Sequence, residues 1–173
     1  MSIELVLRMF KHSVLTITYN HESYIRQMLD SVFNQSVLPY EVIISDDAST
    51  DKTREIIFEY QSKFPGIIKT YHKKLNVGVF ANVNSILDKS SGDIVHFIAG
   101  DDWIKPGMFE RFNSAVVASK LNPLVDRFVL APNTANYYEA SGLEVIVKND
   151  KRFTSAFNGL IRERFSNRCV GYS

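Results

Sequence analysis

A single cysteine, Cys169, stands in 173 residues, so no internal disulfide can staple the chain. A reducing compartment is the expectation, namely the cytoplasm, at the inner face of the membrane if a partner brings the protein there. No apolar run approaches the roughly 20 residues that span a bilayer. Met1 to Lys11 contains Glu4 and lacks a long apolar centre and a small-residue cleavage site, so no secretory leader is read there. An excess of one charge is missing too. Twenty Lys and Arg against 19 Asp and Glu leave a net charge of +1, which excludes nucleic-acid binding driven by a basic field. Neither Gly-x-Gly-x-x-Gly nor a Gly-Lys-Ser/Thr loop occurs, so the dinucleotide fingerprint and the P-loop are both unsupported. No internal repeat, low-complexity stretch or composition shift divides the chain, and residues 1–173 are expected to form one domain. What is abundant is apolar mass. Forty-five per cent apolar residues, with 12 Phe and 8 Tyr, are enough for a substantial core.

After a lead-in from Met1 to Lys11, Ser13 to Thr18 is β-branched and apolar and is expected as the first strand. Tyr19-Asn20-His21 turns the chain. Glu22 to Asn34 then places Tyr24, Ile25, Met28, Leu29, Val32 and Phe33 on one helical face. Glu41 to Ser45 reads as a second strand ending on Asp46-Asp47. A helix follows to about Phe64, with Ser49, Thr50 or Asp51 as its cap. Ile67 to Tyr71 is a third strand. Gly78, in the turn Asn76-Val77-Gly78-Val79, precedes a helix to about Asp88. Ile94 to Ile98 is a buried strand running into Asp101-Asp102, and Pro106 opens the next helix. Arg127 to Ala131 and Asn136 to Glu139 look extended, Leu143 to Lys148 alternates as a hairpin partner, and Ser155 to Phe165 is read as helical.

The alternation of strand and helix through residue 120 implies a parallel sheet in a doubly wound α/β fold with right-handed crossovers. Ligands bind such sheets at the carboxyl edge, near the reversal of strand order. Thr18-Tyr19-Asn20, Asp46-Asp47 and Asp101-Asp102 each follow a strand, so all three clusters should reach one edge. Adjacent carboxylates about 5 Å apart repel by roughly 3 kcal/mol at an effective dielectric near 20. A divalent ion bridging to phosphates would relieve that, and Mg²⁺ or Mn²⁺ suits it because each leaves coordination room for phosphate. Tyr19 can stack on a base. Asp47 can accept a base N–H, Asp101 can accept from ribose hydroxyls, and Asp102 can hold the metal with Asp101 beside it. His12, His21, His72 and His96 show no ligand spacing. His96 is expected to be a satisfied core histidine, Trp103 to pack beneath the acidic loop, and Cys169 to be structural.

At these residues the chain resembles the family 2 glycosyltransferases of the GT-A fold. The likeness runs through Leu15-Thr16-Ile17-Thr18-Tyr19-Asn20, Ser31 to Ser36, Ile43 to Asp51, Asn76-Val77-Gly78-Val79 and Gly92-Asp93-Ile94 onward to Gly100-Asp101-Asp102-Trp103. The resemblance implies metal-dependent transfer of a sugar from a UDP-, dTDP- or GDP-linked donor to a glycan or lipid-linked acceptor, with inversion. It implies nucleotide-sugar contacts at Thr18, Tyr19, Asn20, Asp47, Gly78, Asn82 and Asp101, and metal contacts at Asp102 and Asp101. Residues 13–120 would be the donor-binding part, and 121–173 the start of an acceptor-side region that is expected to be truncated.

Ile17 stands where members often have Pro, and Val83 where many have Arg; Asn82 resembles a subgroup that uses Asn. The general base of inverting members is expected to be absent from this chain, which would then be inactive alone. Asp126, Glu139, Glu144, Asp150 and Glu163 are candidates by residue type only. A catalytically inactive nucleotide-sugar binding module is the first alternative. A receiver-type signalling domain would need acidic residues after the first strand, and a nucleotidyltransferase would need a Gly-rich basic loop there. Neither feature is present.

Overall fold

The computed structural model describes residues 10–119 and four later strands at 129–130, 134–138, 143–147 and 169–172. Strands β1 (His12–Thr18), β2 (Glu41–Asp46), β3 (Ile68–His72) and β4 (Ile94–Phe97) alternate with helices α1 (Ile25–Phe33), α2 (Thr53–Lys63), α3 (Val79–Asn84) and α4 (Met108–Ser119). They are followed by β5 (Val129–Leu130), β6 (Thr134–Tyr138), β7 (Leu143–Val147) and β8 (Cys169–Tyr172). Six strands form one sheet in the order β3-β2-β1-β4-β8-β5, and every pairing in it is parallel. β6 and β7 pair antiparallel, with Thr134 opposite Val147, as the expected hairpin.

β1 and β2 read as continuous apolar runs because both of their faces are covered. Val14, Val42 and Ile44 point into a core with Ile25, Met28, Leu29 and Val32 of α1, Ile57 and Tyr60 of α2, and Phe109 and Phe112 of α4. Leu15, Ile43 and Val95 point the other way, onto Ile86 and Leu87. This two-sided burial makes the fold doubly wound. Among the described residues no helix is long and apolar enough to cross a membrane.

The elements depart from expectation where polar side chains take over backbone groups. α1 starts at Ile25 rather than Glu22. The His21 carbonyl accepts from both Tyr24 N and Ile25 N, and the Glu22 carboxylate is held by Lys52 N at 2.9 Å. α2 is flanked by Lys52, not by Ser49, Thr50 or Asp51, although Asp51 Oδ1 accepts from Thr53 N at 3.0 Å. The helix expected from Gly78 to Asp88 splits into α3 and a 3₁₀ turn at Leu87–Lys89. There Ser85 Oγ donates to the Asn82 carbonyl at 2.7 Å, a side chain competing for helical backbone. Cys169 lies in β8, a strand of the main sheet that its short run, interrupted by Gly171, did not announce. The helix expected over Ser155 to Phe165 lies outside the described residues.

Candidate functional site

Because β2, β1 and β4 are neighbours and parallel, their carboxyl ends share one rim. Backbone bonds carry that adjacency past the strands. Asp47 N donates to the Thr18 carbonyl at 2.9 Å, and Gly100 N to the Ile17 carbonyl at 3.0 Å. The chain leaves β1 toward β2 and β3 on one side and reaches β4 on the other, so the rim between β1 and β4 is the topological switch point. Thr18-Tyr19-Asn20, Asp47 and Asp101 are thereby brought together, as the strand-end pattern required.

Each residue has a definite setting there. Tyr19 is 43% exposed, and Trp103, next to the acidic pair in sequence, is 39% exposed. Thr18 is buried, and its Oγ1 has no hydrogen-bond partner. Asn20 adopts a left-handed φ of 54°. Its Oδ1 accepts from Thr50 N at 2.8 Å and its own N–H donates to Ser49 Oγ at 2.9 Å, which ties the turn after β1 to the turn after β2.

The paired carboxylates after β2 divide their work. Asp46 is fully buried and bonds Arg54 Nε at 2.5 Å and Ser49 N at 3.2 Å, a structural role. Asp47 accepts from Val77 N at 2.9 Å and Gly78 N at 2.8 Å, and so holds the Asn76–Gly78 turn against the rim. Gly78 sits at φ 82°, a conformation that side chains disfavour, and its N–H also reaches Asn76 Oδ1. Asn82 is buried, with its amide engaged at both ends by Ser45: Ser45 Oγ donates to Oδ1 and Nδ2 donates to the Ser45 carbonyl. That bond staples α3 to β2.

Asp101 and Asp102 lie on an exposed turn closed by Asp102 N donating to the Ala99 carbonyl at 3.1 Å. Partial withdrawal of the Asp102 carboxyl from water, together with the charge of Asp101, raises its pKa above the ordinary carboxylate value. Unrelieved negative charge on hard oxygen donors fits a small divalent cation. Among the described residues no three His, Cys, Asp or Glu side chains converge as an ion site. Two carboxylates leave most of a Mg²⁺ or Mn²⁺ coordination shell open.

Sequence reasoning missed His21, whose Nδ1 lies 3.8 Å from Asp101 Oδ1. Its place in the turn after β1 was the available signal. Of the candidate bases, Glu144 lies in β7 opposite Tyr137, while Asp126, Glu139, Asp150 and Glu163 fall outside the described residues.

The chain has the GT-A glycosyltransferase fold, shared with the solved structures of TarS and PcManGT. The profile described as Glycosyl transferase family 2 matches residues 13–164, and the chain belongs to that family. It is 32% identical over 142 residues to the putative teichuronic acid biosynthesis glycosyltransferase TuaG of Bacillus subtilis, covering 74% of this chain and 56% of TuaG. Other curated relatives, 42% identical over 96 residues, are longer still, and the matched part is 28% of their length. Among solved structures, S. aureus TarS 1-349 in complex with UDP-GlcNAc superposes with a TM-score of 0.59 at 27% identity, over 75% of this chain and 37% of that one. The mannosyltransferase PcManGT from Pyrobaculum calidifontis, solved with GDP-Man and Mn²⁺, shares the fold with a TM-score of 0.56 at 22% identity, over 71% and 36% of the two chains.

Proposed function

We propose that this chain binds a nucleotide-diphospho-sugar and takes part in metal-dependent transfer of its sugar to a glycan or lipid-linked acceptor, with inversion. The observation that carries the reading is the meeting of the β1, β2 and β4 strand ends on one rim with an exposed, charge-strained Asp101-Asp102 pair. In this reading Tyr19 offers its exposed ring to the base. Asp47 orders the Asn76–Gly78 turn beside it, and each of its oxygens keeps a lone pair for a base N–H. Asp101 accepts from ribose hydroxyls, while Asp102, with Asp101, holds Mg²⁺ or Mn²⁺. The ion would neutralise charge developing on the departing diphosphate. Thr18 and Asn20 shape the rim beside them, and Asn82 acts through Ser45 by fixing α3. UDP and GDP donors are the first to test, because TarS and PcManGT carry those nucleotides.

In calorimetric titration of the full chain, UDP is expected to bind roughly tenfold more tightly with Mn²⁺ than with EDTA, about 1.4 kcal/mol. Asp102→Asn should erase that difference and leave the thermal melt close to wild type, because the residue sits on an exposed turn. Wild-type affinity that ignores the metal removes Asp102 from this role.

A further inference from the structure

Beside Gly100, at the start of the acidic turn, lie two polar atoms that lack hydrogen-bond partners and are shielded from water: Thr18 Oγ1 and His21 Nδ1. They border the same gap. A Cβ placed on Gly100 would lie 2.7 Å from the first and 2.8 Å from the second, so the missing side chain makes room for the imidazole beside the loop carrying Asp101. Nδ1 stands 3.8 Å from Asp101 Oδ1, about 1 Å beyond a hydrogen bond.

The rest of His21 is anchored. Its N–H donates to Thr53 Oγ1 at 2.8 Å, and its carbonyl accepts from Tyr24 N at 3.0 Å and Ile25 N at 2.8 Å. Its ring meets the Tyr24 ring edge-on, with centroids 6.5 Å apart. Asp101 is the more exposed partner of the two. Its side chain is 51% exposed, and apart from His21 the structure shows it no ion-pair partner among the described residues. With the histidine backbone held, closing the gap falls to the Asp101 side chain.

We propose that His21 is a positioning residue for the carboxylate pair: its Nδ1–H donates to Asp101 in the donor complex and fixes that side chain so that both carboxylates face one ion. The inference rests on the donor-binding reading above. A ligating carboxylate gains definite orientation when an outer donor occupies one of its lone pairs, and loss of such partners commonly weakens metal binding ten- to a hundredfold. The Nδ1–H tautomer of the neutral ring and the protonated ring both supply the donor, so the role does not depend on the histidine's charge. Gly100 belongs to the same device, since any larger residue would push the ring off its place.

The test uses reach. Asn places its amide nitrogen the same number of bonds from Cα as His Nδ1, whereas Gln places it one bond further. The free-Mn²⁺ electron paramagnetic resonance signal, recorded with the full chain saturated in UDP, gives the metal affinity directly. His21→Leu and His21→Gln are each expected to weaken Mn²⁺ binding about tenfold. His21→Asn should leave it near wild type. Equal affinities for the Asn and Gln variants, or an undiminished Leu variant, overturn the positioning role while the wild-type affinity keeps the donor reading in place. If the wild type with UDP binds no Mn²⁺, both readings fall together.

Discussion

Asp46 and Asp47 are the same residue type side by side and both are buried, yet they meet different partners, Arg54 for the first and the backbone of the Asn76–Gly78 turn for the second. Asp46 has no exposure, and Arg54, itself about one-third exposed, is the guanidinium paired with its charge. An unpaired carboxylate at that depth is costly, because water cannot replace the lost partner. Arg54→Met should therefore cost roughly 2–4 kcal/mol, the lower end applying if Arg54's exposed side admits water. Urea denaturation measures it, and a loss below about 0.5 kcal/mol, typical of a surface pair, would deny Asp46 its buried-charge role. The residue pattern showed that acidic pairs end two strands. It did not show which member meets a guanidinium, since that follows from where Arg54 arrives through α2.

At the scale of elements, the sheet is knotted at the end away from the candidate site. Glu41 Oε1 accepts from Ser13 Oγ at 2.7 Å and from Ser91 Oγ at 2.9 Å, while Oε2 pairs with Lys69 Nζ at 2.7 Å. These bonds join β1, β2, β3 and the approach to β4. Burial alone would raise the Glu41 pKa, but the bonds from Lys69, Ser91 and Ser13 hold it at about 2. Gly92 enters the same knot by donating its N–H to Ser13 Oγ at 2.8 Å. A Cβ there would sit 2.5 Å from Ser13 Oγ and 2.6 Å from the Lys11 carbonyl. Gly92→Ala is expected to force β4 away from β1 and cost about 1–3 kcal/mol, as overpacking does. The urea midpoint should drop with an unchanged slope. No shift in midpoint would show that the knot yields freely. Strand positions were legible from β-branched runs, but this knot was not, because its members are up to 79 residues apart.

The whole molecule carries a buried polar thread between its helices and sheet. His12 Nε2 lies 2.9 Å from Asn113 Oδ1, and His12 Nδ1 lies 2.7 Å from His96 Nε2. The amide oxygen only accepts, so His12 donates from Nε2, its Nδ1 accepts from His96, and His96 Nδ1 is left an acceptor without a partner. His96 is thus a core histidine satisfied at one nitrogen. Burial pushes the His12 pKa down to about 4 against the opposing pull of Asn113 and Asp93. Burial, and then the neighbouring His12, lowers His96 well below its usual value. The unfolded chain titrates these two histidines near 6.5 and takes up protons that they refuse in the folded one, so their contribution to stability is full above about pH 6.5 and falls toward pH 4. The slope reaches about 1.4 kcal/mol per pH unit for each histidine. Glu41 adds its own loss only at lower pH, beneath the ordinary carboxylate value of 4.5. Thermal melts from pH 7.5 to 4.5 should show the decline, and His96→Leu, though less stable, should flatten it. An equally steep decline in that variant would mean that His96 is not among the titrating groups.

Apolar periodicity and turn chemistry determined the order of strands and helices, because each is a local property of a dozen residues. The carboxyl-edge location of the site followed from that order, since parallel strands must all end on one side. Tertiary structure alone decided the side-chain partners around it: which aspartate meets Arg54, that Asn82 is engaged by Ser45, and that His21 faces Asp101. Those outcomes depend on distances of an ångström or less between segments far apart in the chain, and no local pattern encodes such distances.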